Sequence, residues 1–306
     1  MSAYLVERDA TAYVRLAGVP ARYPDISVKT YNADFLGVLP AILKDIPSRD
    51  TFAFFLLDPK GWRIPLKNLS ALLARPNSEI IFNFMFEFIN RAASIKDPSI
   101  ISGLEELIPF GDWRNKLQIA EQTGTDTPEK RKAILVEAFS ASLKALGNYE
   151  YVAETTVLRP LKNRPLYCLF YATRNPIGIE VFRDCQVNAL RTESTMRAAA
   201  KVKHAATSTG QGEIFESLHD MAPDKLEEFL QHEGADAERS LFELAPSKPH
   251  FLVYEKLRAQ VLARHVVRSP DVNAIAAALR KQNKLSFPDW EKNKRVPQRG
   301  YRTQRI

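Results

Sequence analysis

Thr51-Phe52-Ala53-Phe54-Phe55-Leu56-Leu57-Asp58-Pro59-Lys60-Gly61-Trp62 is a largely apolar run that ends in an acid and a turn. Bounded in this way, the run over 51–57 predicts a strand buried on both faces at the centre of a parallel sheet. Pro59 restricts Asp58 to extended geometry, so the acid's side chain and carbonyl project at the strand end. Gly61 permits a left-handed or closely approached backbone, and Trp62 offers a face on which a base could stack. The plainer reading of the same residues is an ordinary strand-to-helix turn with a buried tryptophan.

Upstream, the chain alternates regularly. Ala3 to Val6 predicts a strand ending at Glu7, and Ala10 to Leu16 a helix. Ile26 to Tyr31 alternates as a second strand, followed by the turn Asn32-Ala33-Asp34. Phe35 to Ile46 repeats its apolar residues at helical spacing. Downstream, Pro65 to Ala74 reads as helix and Glu79 to Phe88 as a fourth apolar run. Strands alternating with helices of this length predict βαβ units and a doubly wound sheet. Thr127-Pro128-Glu129-Lys130 then carries the cap, first-turn proline and acid that start a helix, which Gly147 closes. Glu150–Leu158 and Leu166–Thr173 read as strands, and Ile179–Arg183 as a third; together they form the antiparallel finish of the sheet. Both Cys168 and Cys185 fall in apolar, strand-like surroundings, and so few cysteines in so long a chain predict reduced residues and a cytoplasmic location.

Beyond Cys185 the pattern turns charged and helical through Glu238. Pro249–Ala263 reads as an amphipathic helix, and Ser269 with Pro270 opens another that runs to Lys281. Leu285-Ser286-Phe287 and a basic run follow, the parts of a winged helix. The expected organisation is an α/β domain over 1–184, a helical connector over 185–245 and a basic winged-helix-like segment over 246–306.

Charge follows the same division. From Leu241 onward there are fourteen Lys and Arg against five Asp and Glu, a balance of +9 within a chain total of +7. The first 240 residues therefore carry −2. A near-neutral body with a basic end points to a polyanionic partner, most often nucleic acid, with a solvated tail as the plain alternative. Lys284, Lys292, Lys294, Arg295, Arg299 and Arg302 are the candidate phosphate contacts. No apolar run is long enough for a membrane span, and the five histidines and two cysteines show no metal-ligand spacing. Neither Gly-x-Ser-x-Gly nor a phosphate loop occurs, so hydrolase and nucleotide triphosphatase readings lose support.

Three strand ends carry acids: Glu7, Asp34 and Asp58. Ligands of open parallel sheets bind beyond such ends. Each acid can equally cap the helix after it, although Asp9 is better placed than Glu7 to cap the first.

Glu7, the Asn32-Ala33-Asp34-Phe35 turn, Phe54 to Trp62, and Asn83 with Arg91 together resemble the three-Cys-motif partner proteins, with Asn283-Lys284-Leu285-Ser286-Phe287 resembling that family's closing segment. The resemblance spans most of the chain and is strongest over residues 3–91. It implies a Rossmann-like, methyltransferase-type fold with S-adenosylmethionine as cofactor and nucleic acid as substrate. Glu7 would then hold the ribose, and Asp34 with Phe35 the adenine. Asp58, Pro59, Lys60, Gly61 and Trp62 would orient a base amino group for direct methyl transfer. Lys60 stands where the family usually has an aromatic residue, which moves base stacking to Trp62. The family's N-terminal strand and Asp-Gly-Phe-Ala-Gly-Pro-Gly type loop have no counterpart, since Gly18 and Gly37 are isolated. An N-terminally truncated fold is therefore expected. The alternative function is a non-catalytic nucleic-acid-binding protein, or a partner of a radical-enzyme-like protein bearing three cysteines.

Overall fold

The computed structural model describes residues 1–46, 50–59, 61–209 and 223–306. The chain opens with β1 (Ser2–Glu7), α1 (Ala10–Ala17), α2 (Val19–Arg22), β2 (Ser27–Asn32) and α3 (Phe35–Asp45). Next come β3 (Ala53–Leu57), a 3-10 turn (Leu66–Leu69), α4 (Ser70–Leu73), β4 (Ser78–Phe84) and α5 (Phe86–Ala92). Helices α6 (Pro98–Leu107), α7 (Trp113–Gln122) and α8 (Pro128–Gly147) precede β5 (Tyr151–Leu158) and β6 (Pro165–Thr173). The chain continues through α9 (Pro176–Thr209), α10 (Pro223–Leu244), β7 (Leu252–Val253), α11 (Tyr254–Arg264) and α12 (Ser269–Lys281), and ends in β8 (Leu285–Ser286) and β9 (Arg302–Arg305). Among the described residues no helix is long and apolar enough to cross a membrane.

The protein is mixed α/β. Its main sheet has four strands in the order β3-β4-β6-β5, with β3 and β4 parallel and the other pairs antiparallel. Alternation along the strands sends side chains into two cores, one on each face. Ile80, Phe82 and Phe84 of β4 pack with Cys168, Phe170 and Ala172 of β6 against α8, whose Phe139 lies within 5 Å (ring centroids) of Phe82, Phe84 and Phe170. On the other face, Tyr151, Ala153, Tyr171 and Ile179 share a core with Leu241, Tyr254, Leu257, Leu262 and Leu279 of the C-terminal helices. Two helical layers thus enclose much of the sheet.

Local signals explain most element starts. Asp9 accepts from the Ala12 amide at the head of α1, and Thr127 from Lys130 at the head of α8. Asn148, at φ 51°, ends α8 in the left-handed region.

Several sequence expectations are corrected. The run over 51–57 is not a central strand covered on both faces: β3 is an edge strand, and Phe54 and Leu56 are 52% and 65% exposed on its uncovered face. The first two strands do not join the main sheet: among the described residues β1 pairs only with β2, in parallel. Helix α1 buries none of its residues, and the link to the main core runs through α3, whose Leu39 packs in the same cluster as Leu57.

Ile179–Arg183 is not a third strand but part of α9, which Asn175 opens by accepting from the Ile177 amide. Cys185 therefore sits exposed on a helix rather than in a strand, whereas Cys168 is buried in β6 and its thiol pKa is pushed up by that burial. Glu79–Phe88 divides into the end of β4 and the start of α5. The helix predicted from Pro249 begins only at Tyr254, since Leu252 and Val253 pair with Thr303 and Arg302. Strands β7, β9 and β8 form a small antiparallel sheet beside α11 and α12.

Two buried arginines tie the C-terminal helices to the sheet layer. Arg183 of α9 donates to the carbonyls of Leu262, Ala263 and Glu154 and to Gln186. Glu180, also on α9, pairs with buried Arg258 of α11 and accepts from Arg299 at 3.0 Å. Each guanidinium thereby gains acceptors in place of water, although Arg258 Nε is left without one among the described residues.

Candidate nucleic-acid interface and strand-end site

The strand-end acids adopt different local roles. Glu7 accepts the Asp9 amide on Oε1 at 2.7 Å, while Asn32 donates to the Glu7 carbonyl across the β1–β2 pair. Asp34 caps α3: its Oδ1 accepts from Leu36 N at 3.0 Å, and its Oδ2 lies 3.8 Å from Arg8. Phe35 is half-buried against the main core.

Asp58 is exposed at the end of β3 and accepts from Asn83 Nδ2 of β4 at 2.6 Å. This contact needs β3 and β4 to be parallel and adjacent, so that both strands deliver a polar side chain to the same end. Asn83 Oδ1 is buried with no hydrogen-bond partner among the described residues. Gly61 has φ +95°, the left-handed region its lack of a Cβ permits. Trp62 is half-buried: its ring closes on Gly103 of α6, where a Cβ would lie 2.7 Å away, and Arg63 stands 5.3 Å from its centroid. Pro59 is half-buried, and Lys60 lies outside the described residues.

The basic residues of the C-terminal segment divide into two groups. Arg299 is held by Glu180 and by Glu255 at 3.4 Å, and Arg302 by Asp289 at 2.8 Å. Arg302 and its amide hold the Asp289 carboxyl far below the usual carboxylate range, at about 2. These two arginines have their charge matched within the protein. Lys284, Lys292, Lys294 and Arg295 make no ion pair among the described residues.

Lys292, Lys294 and Arg295 instead line a cleft of about 520 Å³ together with Ala277, Arg280, Lys281 and Trp290. No acid lines it. Of the acids flanking Trp290, Asp289 is turned to Arg302 and Glu291 accepts from the Tyr301 hydroxyl. Trp290 organises the wall: Arg280 lies 4.1 Å above its ring, and its Nε1 donates to the Lys294 carbonyl at 3.2 Å. Phe287 and Tyr301 pack at its edges.

Arg280 and Lys281 lie outside the basic run that the sequence marks. Their signal there is a basic pair in the last turn of a helix, which also has a local explanation in the helix dipole.

Among the described residues no cluster of His, Cys, Asp and Glu could hold a metal ion. His265 Nε2 meets Ser240 Oγ at 2.7 Å, but Glu233 stands 3.8 Å from the other ring nitrogen and accepts the Val266 amide at 2.6 Å instead. This carboxylate anchors backbone rather than orienting the imidazole, so the trio lacks the relay of a nucleophilic site. No protein-family model, curated protein or solved structure matches the chain.

Proposed function

We propose that the protein binds nucleic acid through its basic C-terminal segment, in a chain whose α/β body has the plan of a Rossmann-like methyltransferase. The observation that carries this reading is the cleft beside Trp290, lined by five cations and no acid. Uncompensated cations around one concavity create a positive potential that attracts phosphates. The helix pair α11–α12 with β8 and β9 supports a winged-helix-like reading of the segment. Parallel β1–β2 and β3–β4, followed by the antiparallel β5–β6 hairpin, support the Rossmann-like one.

The test is an oligonucleotide binding titration against salt. Neutralising between two and five phosphate charges predicts a roughly ten- to several-hundred-fold loss of affinity between about 50 and 200 mM salt. Replacing Lys292, Lys294 and Arg295 together with alanine should remove most of that dependence. Absent or salt-independent binding by the intact chain would overturn the reading.

A second reading, S-adenosylmethionine-dependent methylation of a base amino group, draws support from Asp58 and Asn83, whose polar groups meet at adjacent strand ends. In that reading Asp58 and the Pro59 carbonyl orient the amine. The acids that would hold the cofactor fit it only in part: Glu7 keeps one carboxylate oxygen clear, whereas Asp34 already caps α3 through Oδ1, with Arg8 3.8 Å from its Oδ2. The geometry therefore favours binding over catalysis. Calorimetry with S-adenosylmethionine should show no binding by this chain, and saturable binding would restore the enzyme. Association with a three-Cys-motif protein rests on the resemblance alone, and co-purification tests it.

A further inference from the structure

The cleft beside Trp290 has a shape that nucleic-acid binding in general does not require. A surface that tracks a strand spreads its cations along a line, one near each phosphodiester. Here five cationic residues are gathered around one cleft. Arg280 and Lys281 come from the last turn of α12, and Lys292, Lys294 and Arg295 from the loop after Trp290, and all five line one concavity.

The grouping is built. Arg280 is held over the indole, and the indole N–H pins the loop through the Lys294 carbonyl. Three carbonyls in the last turn of α12, which would otherwise repel an anion, are occupied: those of Ala278, Arg280 and Leu279 accept the amides of Gln282, Asn283 and Lys284. Asp289 and Glu291, the nearest acids in sequence, are bonded to Arg302 and Tyr301. Among the described residues, no carboxylate lines the cleft.

Cations gathered around one cleft act on a single group, and their attraction scales with that group's charge. An internal phosphodiester offers one negative charge and two free oxygens. A terminal phosphate monoester offers close to two charges at neutral pH and three acceptor oxygens. Arg280 and Arg295 add guanidinium forks suited to phosphate.

We infer that the cleft formed by Arg280, Lys281, Lys292, Lys294 and Arg295 around Trp290 is a terminal-phosphate subsite, which recognises the phosphorylated end of a nucleic acid strand. The inference rests on the nucleic-acid reading above and adds to it an end preference. Trp290 acts as a positioning residue that holds Arg280 and the loop in place.

The experiment compares single-stranded oligonucleotides of one sequence carrying a 5′-phosphate, a 3′-phosphate or only hydroxyl ends, bound to the full chain at neutral pH. One of the phosphorylated strands should bind roughly tenfold more tightly than the hydroxyl-ended one, the ratio given by about one charge-assisted hydrogen bond. The advantage should shrink below about pH 6, where the monoester loses its second charge. Arg280→Gln with Lys281→Gln, substitutions that keep helix propensity, should bring the ratio to within about twofold while salt-sensitive binding persists. Equal affinity of the intact chain for all three strands overturns the subsite and leaves the nucleic-acid reading standing. Failure to bind any strand overturns both. Because the first comparison uses the unaltered protein, a variant that misfolds does not affect its outcome.

Discussion

Glu180→Ala should destabilise the protein by about 3–5 kcal/mol, the cost of breaking a buried ion pair from one side. Glu180 and Arg258 are only 8% and 4% exposed. With the carboxylate gone, Arg258 keeps Asn273 Oδ1 at 3.2 Å, and its Nε is already without a partner. Arg299 would lose its shorter contact as well. The cost arises from a guanidinium stranded away from water rather than from the pair's own net attraction. Replacing both partners, as Glu180→Leu with Arg258→Met, should therefore recover much of the loss. Urea denaturation of the single and double variants measures the difference. A single-variant loss below about 1 kcal/mol would mean that water reaches Arg258.

Phe139→Ala should cost a comparable amount, about 3–5 kcal/mol, by opening a void among Phe82, Phe84 and Phe170. Phe139 is fully buried, and its ring centroid lies 4.6 to 4.9 Å from the other three. Edge-on and tilted contacts of this kind add to the apolar burial. Phe54→Ser makes the control. On the uncovered face of β3, where Phe54 is 52% exposed, the change should stay within about 0.5 kcal/mol. Equal losses at the two positions would indicate that the uncovered face of β3 is buried in solution.

Periodicity is a local property, so the order of strands and helices was legible. The caps at Asp9 and Thr127 and the antiparallel β5–β6 hairpin could all be read from short windows of sequence. Sheet order could not, because it depends on which strands find each other in space. The apolar run over 51–57 carries the composition of a central strand, and only the pairing shows that one of its sides has no neighbouring strand among the described residues.

Ile179–Arg183 carries β-branched residues that favour a strand. Tertiary burial of Ile179 and Arg183 on a helix outweighs that preference, and the Asn175-Pro176 start was the overlooked signal. At the interface, the basic run was visible, but its division was not. Arg299 is neutralised by Glu180, 119 residues away, and Arg280 reaches the cleft because α12 folds back beside Trp290. Pairing at that separation leaves no trace in composition.

The side of β3 away from β4 has a practical consequence for anyone handling the protein. Natural sheets guard such margins with a lysine, a proline or a bulge, and Ala53–Leu57 contains no charge and no proline. Phe54 and Leu56 add exposed apolar surface beside that margin. Crowded molecules are thus prone to zip together along this margin. Concentration, more than temperature, would then govern how long a preparation stays monodisperse.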